Sequence, residues 1–116
     1  MEELIRTNDI VMISFVEALL KDAGIEYLDT ALETTTDAFL GGLVEAVQPA
    51  RGHHRSGLDA VILAAALGEG VRGRIVDMGA GAGVAGLSLA ARARAARVVL
   101  AEREVELVAC AREALA

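Results

Sequence analysis

The sequence predicts an α/β fold in which parallel strands alternate with helices. Three observations carry that expectation. Short β-branched runs alternate with apolar stretches at helical spacing between Leu58 and Leu115. A glycine-rich segment, Gly79-Ala80-Gly81-Ala82-Gly83, joins one such strand to one such helix. An acid, Glu102, stands where the next strand ends. Strands that alternate with helices pair in parallel through right-handed crossovers.

The elements follow in order. Glu2 to Arg6 is short and partly apolar, and reads as a first strand. Thr7-Asn8-Asp9 supplies helix-capping residues, and Val11, Phe15 and Leu19 recur at helical spacing. Asp22-Ala23-Gly24 stops that helix, and Ile25 to Leu28 forms a second strand. The first 28 residues thus read β-α-β. Asp29 to Asp37 is rich in Thr and acids and reads as a linker. Leu43 to Gln48 alternates as a strand does, after the Gly41-Gly42 break.

Pro49 to Gly57 is a polar loop, and Leu58 to Leu67 an apolar helix with Asp59 in its first turn, where the helix dipole favours an acid. Arg74 to Met78 reads as a buried strand, since Ile75 and Val76 are β-branched. Val84 to Ala95 is the helix after the glycine loop, Arg97 to Ala101 the next strand, and Arg103 to Leu115 a last amphipathic helix.

Composition sets the outer bounds. The chain has 116 residues, enough for one small domain with a modest core. Only Phe15, Tyr27 and Phe39 are aromatic, so the core rests on Ala, Val and Leu. Such a core buries little area per residue, and stability is expected to be marginal. The net charge of −6 is unevenly spread. Residues 1–48 hold ten acids against Arg6 and Lys21, a net of −8, whereas residues 49–116 carry nine Arg against seven acids, a net of +2. That asymmetry points to two segments of different origin. The single Cys110 excludes an internal disulfide and a cysteine metal cluster. The longest apolar run, Ala60 to Gly68, is too short to span a membrane, and the acidic start lacks a signal-peptide pattern. The expectation is a soluble, cytoplasmic protein with no membrane partner.

The glycine loop carries the chemistry. Glycines let the backbone turn sharply and approach a ligand. The following helix offers unpaired N–H groups and a positive dipole end. An acid such as Glu102 can bind both hydroxyls of a ribose. Two cofactors compete for this arrangement. Gly81, Gly83 and Gly86 match the G-x-G-x-x-G of dinucleotide-binding folds. Gly79, Gly81 and Gly83, preceded by Asp77, match the acid-x-G-x-G-x-G of S-adenosylmethionine enzymes. A pyrophosphate is repelled by a carboxylate beside the loop, whereas the ammonium and sulfonium of S-adenosylmethionine are attracted to one. Asp77 therefore favours S-adenosylmethionine, with an NAD-type module as the alternative.

Further residues carry a family resemblance. They are Thr35-Thr36-Asp37-Ala38-Phe39-Leu40-Gly41-Gly42, then Gln48-Pro49, then Gly57-Leu58-Asp59-Ala60-Val61-Ile62-Leu63-Ala64-Ala65. They resemble the start of small-domain methyltransferases, best the group that methylates adenine N6 in a tRNA. Its Gly-x-Arg-x-Gly-x-Asp-Ala segment is similar to Gly52-His53-His54-Arg55-Ser56-Gly57-Leu58-Asp59-Ala60, one residue longer before the Arg. The resemblance covers about residues 33–116. It implies a partial Rossmann-like methyltransferase fold and S-adenosylmethionine as cofactor. It places Asp77, Gly79, Gly81 and Gly83 at the cofactor's methionine part, Glu102 at its ribose, and Arg55 and Asp59 at the pocket border. It also implies tRNA as a partner.

The start of the chain resembles something else. Glu2-Glu3-Leu4-Ile5-Arg6-Thr7-Asn8-Asp9 and Ile13-Ser14-Phe15-Val16-Glu17-Ala18-Leu19-Leu20-Lys21-Asp22-Ala23-Gly24-Ile25 look like a short bacterial signal-transducing domain of β-α-β-β-α layout. The domain expectation is a partial segment over 1–28, a junction over 29–34, and the first half of a methyltransferase domain over 35–116.

Catalysis in adenine-N6 methyltransferases needs an Asn- or Asp-Pro-Pro-aromatic motif that holds the flipped base. The only Pro here is Pro49, so these residues contain no such motif and no catalytic residue is assigned. The chain is expected to be inactive alone, as an incomplete unit or a chimeric interaction module. An open sheet of few strands also exposes edges, which implies self-association. His53 and His54 are adjacent and diverge in direction, so no metal site is expected from them.

Overall fold

The computed structural model describes residues 3–7, 10–13 and 32–115. Two sheets organise the chain. The larger uses strands β1 (Glu3–Thr7), β2 (Ile10–Ile13), β5 (Gly73–Met78) and β6 (Ala96–Ala101) in the order β1-β2-β6-β5. The smaller is an antiparallel hairpin of β3 (Thr34–Phe39) and β4 (Val44–Pro49). Among the described residues three α-helices complete it: α1 (Leu58–Ala65), α2 (Val84–Arg92) and α3 (Val105–Leu115).

The β5–α2–β6 unit is the parallel strand–helix–strand arrangement that the periodicity predicts. β5 and β6 pair in parallel from Gly73↔Ala96 to Met78↔Ala101. β6 is an interior strand, since β2 pairs with its other side, also in parallel, from Ile10↔Val98 to Ile13↔Ala101. Its side chains are accordingly the most deeply buried: Val98 and Leu100 have no exposed surface.

Four expectations are corrected. Ile10–Ile13 is strand, where the sequence reading opened a helix at Val11. Four consecutive apolar residues fit either period, and pairing with β6 decides for the strand. The remainder of that helix and the strand at residues 25–28 lie outside the described residues. Thr34 to Asp37 is part of β3 and not linker. Its Thr residues are good strand formers, and their exposure on a two-stranded sheet explains the polar composition that suggested a loop. β5 is an edge strand among the described residues and not a buried one. Val76 is 47% exposed and Met78 76%, while Ile75 and Asp77 face inward. The helix after the glycine loop ends at Arg92, three residues early, where Ala93 leaves helical geometry at φ −101°.

The core is built from small side chains. Ala64, Ala80, Ala90, Ala93, Ala96 and Ala111 cluster with Leu87, Leu89, Val98, Leu100, Val108 and Leu115. Small residues let α2 lie close on β6. A Cβ added to Gly86 would come within 2.1 Å of Leu100 Cδ2 and 3.3 Å of Val98 Cγ1. Gly86 is therefore required by helix–sheet packing, whatever the loop binds. The change Gly86→Ala is expected to destabilise the fold by about 1–3 kcal/mol, as overpacking does. Urea unfolding of the two proteins measures it, and an unchanged midpoint would contradict the packing argument.

Candidate functional site

The site forms where β5 and β6 end side by side. Met78 pairs with Ala101, so the residues beyond each strand, Gly79 to Gly83 and Glu102, meet at one end of the sheet. Gly79, Gly81 and Gly83 have φ values of 69°, 61° and 92°. Those left-handed values are strained for residues with a Cβ, and they explain three glycines at alternate positions. A Cβ at Gly79 or Gly81 would meet nothing within 4 Å, so their outer side is open. One at Gly83 would press on Leu100 Cδ1 at 3.0 Å.

Four of the loop's five backbone N–H groups, those of Gly79, Ala80, Gly81 and Gly83, have internal partners. Gly79 N–H and Ala80 N–H both donate to the Ala101 carbonyl, at 2.9 and 3.0 Å. Gly81 N–H donates to Glu102 Oε2 at 2.7 Å. Gly83 N–H donates to the Ala80 carbonyl at 2.9 Å. At the start of α2, Gly86 N–H donates to Asp77 Oδ2 at 3.1 Å. Asp77 thus occupies the positive helix end with the protein's own negative charge. Glu102 is held from the other side as well, its Oε1 accepting from Arg103 N–H at 2.8 Å and Glu104 N–H at 2.9 Å.

Burial pushes the Asp77 carboxyl above its ordinary 3.8; the Gly86 bond opposes this, and the nearby Glu102 charge adds to it. Two acids within electrostatic reach at the mouth of a glycine loop make a place for cations and hydroxyl donors. With these four amides committed to Ala101, Glu102 and Ala80, and a carboxylate at the helix start, the site is set more for a cation than for an anion.

Asp77 also lines a groove of about 330 Å³ with Leu63, Leu67, Ile75, Val76 and Leu89. Arg55 and Asp59 hydrogen-bond to residues outside the glycine loop. Arg55 ties the hairpin to the loop that follows it. It donates to the Pro49 carbonyl at 2.7 Å, Thr35 Oγ1 at 2.7 Å and Asp37 Oδ2 at 2.6 Å. Beside it Gln48, only 2% exposed, donates to Asp37 and the Ser56 carbonyl and accepts from Ser56 N–H. Asp59 is exposed at the first turn of α1, where its Oδ1 accepts from Gly57 N–H. That bond, with His54 nearby, holds its pKa below the ordinary value.

The sequence does not reveal Thr35 and Asp37 as partners of Arg55, nor the pairing of His53 Nε2 with Glu106 Oε2 at 2.7 Å. These contacts join residues far apart in the chain, and only the strand register of a folded hairpin could have suggested the first set. Cys110 is buried on α3, and burial raises its thiol pKa, reinforced by Glu113 and Glu106. Among the described residues no cluster of His, Cys, Asp and Glu could hold a metal ion. None of the described helices is long and apolar enough to cross a membrane.

A parallel β–glycine loop–α–β unit closed by an acid defines a Rossmann-like cofactor-binding unit. Comparison with protein families gives the family itself. The methyltransferase small domain family model matches residues 53–116, and the chain belongs to that family. A second model, described as Putative prokaryotic signal transducing protein, matches residues 1–30. The two matches fall within the two stretches whose motifs resemble different families. No curated protein and no solved structure matches the chain.

Asp77 also gives the fold a measurable pH dependence. Its folded pKa lies above the unfolded value, so the folded chain binds that proton more tightly. The contribution to stability is complete below the unfolded value and falls as pH rises through the folded one. Asp77→Asn keeps an acceptor for Gly86 N–H and cannot ionise. It is expected to be more stable than the parent at pH 7, with the difference closing toward pH 3. Thermal melts across that range decide it, and a variant less stable at pH 7 would overturn the assignment.

Proposed function

We propose that the Asp77–Glu102 unit binds S-adenosylmethionine, the methyl donor of a reaction whose acceptor is adenine N6 in tRNA. The observation that supports this most directly is the use of the loop amides. A pyrophosphate needs free N–H donors at the loop and at the helix start. Here Ala101, Glu102 and Ala80 take four of the loop's five donors, and Asp77 places a carboxylate at the helix start. What remains suits a ligand with an ammonium, a sulfonium and ribose hydroxyls.

In this reading Asp77 sets the negative field for the methionine portion, and Gly79, Gly81 and Gly83 give it close approach to the backbone. Glu102 accepts from the ribose, and Arg55 and Asp59 border the site by resemblance. The bound cofactor supplies an activated methyl group; the described residues bind and orient it. The acceptor is proposed on the resemblance of the Thr35–Gly42 and Gly57–Ala65 segments to tRNA adenine-N6 methyltransferases. The 116 residues hold no Pro-Pro-aromatic motif, so the chain is proposed not to methylate by itself.

Isothermal titration tests the cofactor. S-adenosylhomocysteine is expected to bind more tightly than NAD, and Asp77→Ala to weaken it about tenfold or more, as loss of a charged partner does. Tighter binding of NAD, or improved binding of it alone, would replace this reading by the dinucleotide one. Methyl incorporation into tRNA by the chain alone would refute the proposed inactivity.

A second reading, an assembly module, is favoured by one observation. The outer edge of β5 and the neighbouring surface of α1 expose Val76, Met78, Leu58, Ile62 and Leu63. Apolar surface beside a strand edge that no described strand covers is an association site. Light scattering is expected to show self-association that a Val76→Lys, Met78→Lys double variant abolishes. A parent that stays monomeric at high concentration would count against it.

A further inference from the structure

We infer that Glu102 is a latch on the glycine loop, one that a ligand carrying vicinal hydroxyls must release. The inference rests on the cofactor reading above and concerns how the same site opens. Glu102 does two things in this structure. Its Oε1 accepts from the N–H groups of Arg103 and Glu104, one and two residues on, which fixes the side chain at the end of β6. Its Oε2 accepts from Gly81 N–H, across 21 residues of sequence, at 2.7 Å. The first pair is local; the Gly81 bond is the long-range one, and it ties the carboxylate to the glycine loop.

A carboxylate offers about four acceptor positions. Three backbone donors occupy three of them, which leaves one. A ribose presents two adjacent hydroxyls and needs two acceptors. Both can be met only if one backbone donor is given up. The Arg103 and Glu104 donors both sit on Oε1, whereas Gly81 N–H sits on Oε2, and its release leaves that oxygen with both acceptor positions open. Gly81 sits on a separate segment, at φ 61°, with open space on its outer side. Gly81 N–H is therefore the donor that is exchanged. Its release loosens the centre of the loop, while Gly79 and Ala80 remain fixed to the Ala101 carbonyl. Ligand occupancy and loop order are thereby coupled through a single hydrogen bond. In this role Glu102 is a positioning residue for the loop as well as a contact for the ligand.

The experiment uses amide hydrogen exchange and the nitrogen–proton spectrum of the isotopically labelled chain. In the free protein, Glu102→Asp shortens the side chain, so it can keep the local donors but no longer reach Gly81. Exchange at Gly81 is expected to rise about tenfold, as the loss of one hydrogen bond predicts, with Arg103 and Glu104 little changed. Glu102→Gln, with one acceptor oxygen in place of two, is expected to fall between. With the parent protein, adenosine is expected to shift the Gly81 amide and speed its exchange, whereas 2′,3′-dideoxyadenosine leaves it in place. The parent arm stands even if neither variant folds.

Gly81 exchange that is indifferent to both folded variants would overturn the latch. Adenosine that perturbs Asp77 and Gly79 but not Gly81 would overturn it too, and would leave the cofactor reading intact. No binding of adenosine or S-adenosylhomocysteine would overturn both.

Discussion

The in-register parallel pairing of β5 with β6 is the constraint on which the site depends. Because Met78 lies beside Ala101, the last carbonyl of β6 collects the first two amides of the glycine loop. The next residue, Glu102, collects the third. A shift of one residue in that register would turn Asp77 to the opposite face of the sheet, away from Gly86. It would also leave the loop amides unpaired. The loop conformation is thus dictated by the neighbouring strand as much as by its own glycines. Leu100, wholly buried under α2, fixes the height at which that helix can sit and so the position of the amide that Asp77 meets.

The same packing separates the functions of the glycines. Gly79 and Gly81 have left-handed backbone and open surroundings, so freedom of conformation and access explain them. Gly83 and Gly86 are held by contact with Leu100. A glycine pattern read along the sequence mixes these two demands. That is why G-x-G-x-x-G and acid-x-G-x-G-x-G could both be drawn through this loop, and why Asp77 and the destination of each amide separate them better than any glycine does.

Much of the fold was legible because its periodicity is local. The β5–loop–α2–β6–α3 order, the helix at Leu58 and the strand after Gly41-Gly42 all follow from spacing within a dozen residues. The misreadings share a physical cause. Ile10–Ile13 and Thr34–Asp37 are strands by virtue of their partners, and a partner 88 positions away, as Val98 is from Ile10, leaves no trace in a short window. β5 was misjudged for the converse reason: its apolar run suits an interior strand, but no described strand covers its outer edge. At the site, Asp77, the glycines and Glu102 were readable as a motif. The way Gln48, Asp37 and Thr35 gather around Arg55 was not, because it depends on the hairpin bringing residues from both of its strands to the following loop.

The alanine-rich interior has a consequence for how this chain can change. Among the described residues nine buried core side chains are Ala: Ala46, Ala60, Ala64, Ala80, Ala82, Ala90, Ala93, Ala96 and Ala111. Every residue except glycine is larger than alanine. Point changes at these positions therefore add volume, and relief must come from backbone movement, which a closely packed interior resists. In most proteins core variation leaves holes that neighbours can partly fill. At these nine positions it runs toward crowding, so sequence drift there is steered by size before hydrophobicity. Tolerance for change is concentrated instead at the larger residues, such as Leu87, Leu89 and Leu115, where a smaller side chain is available.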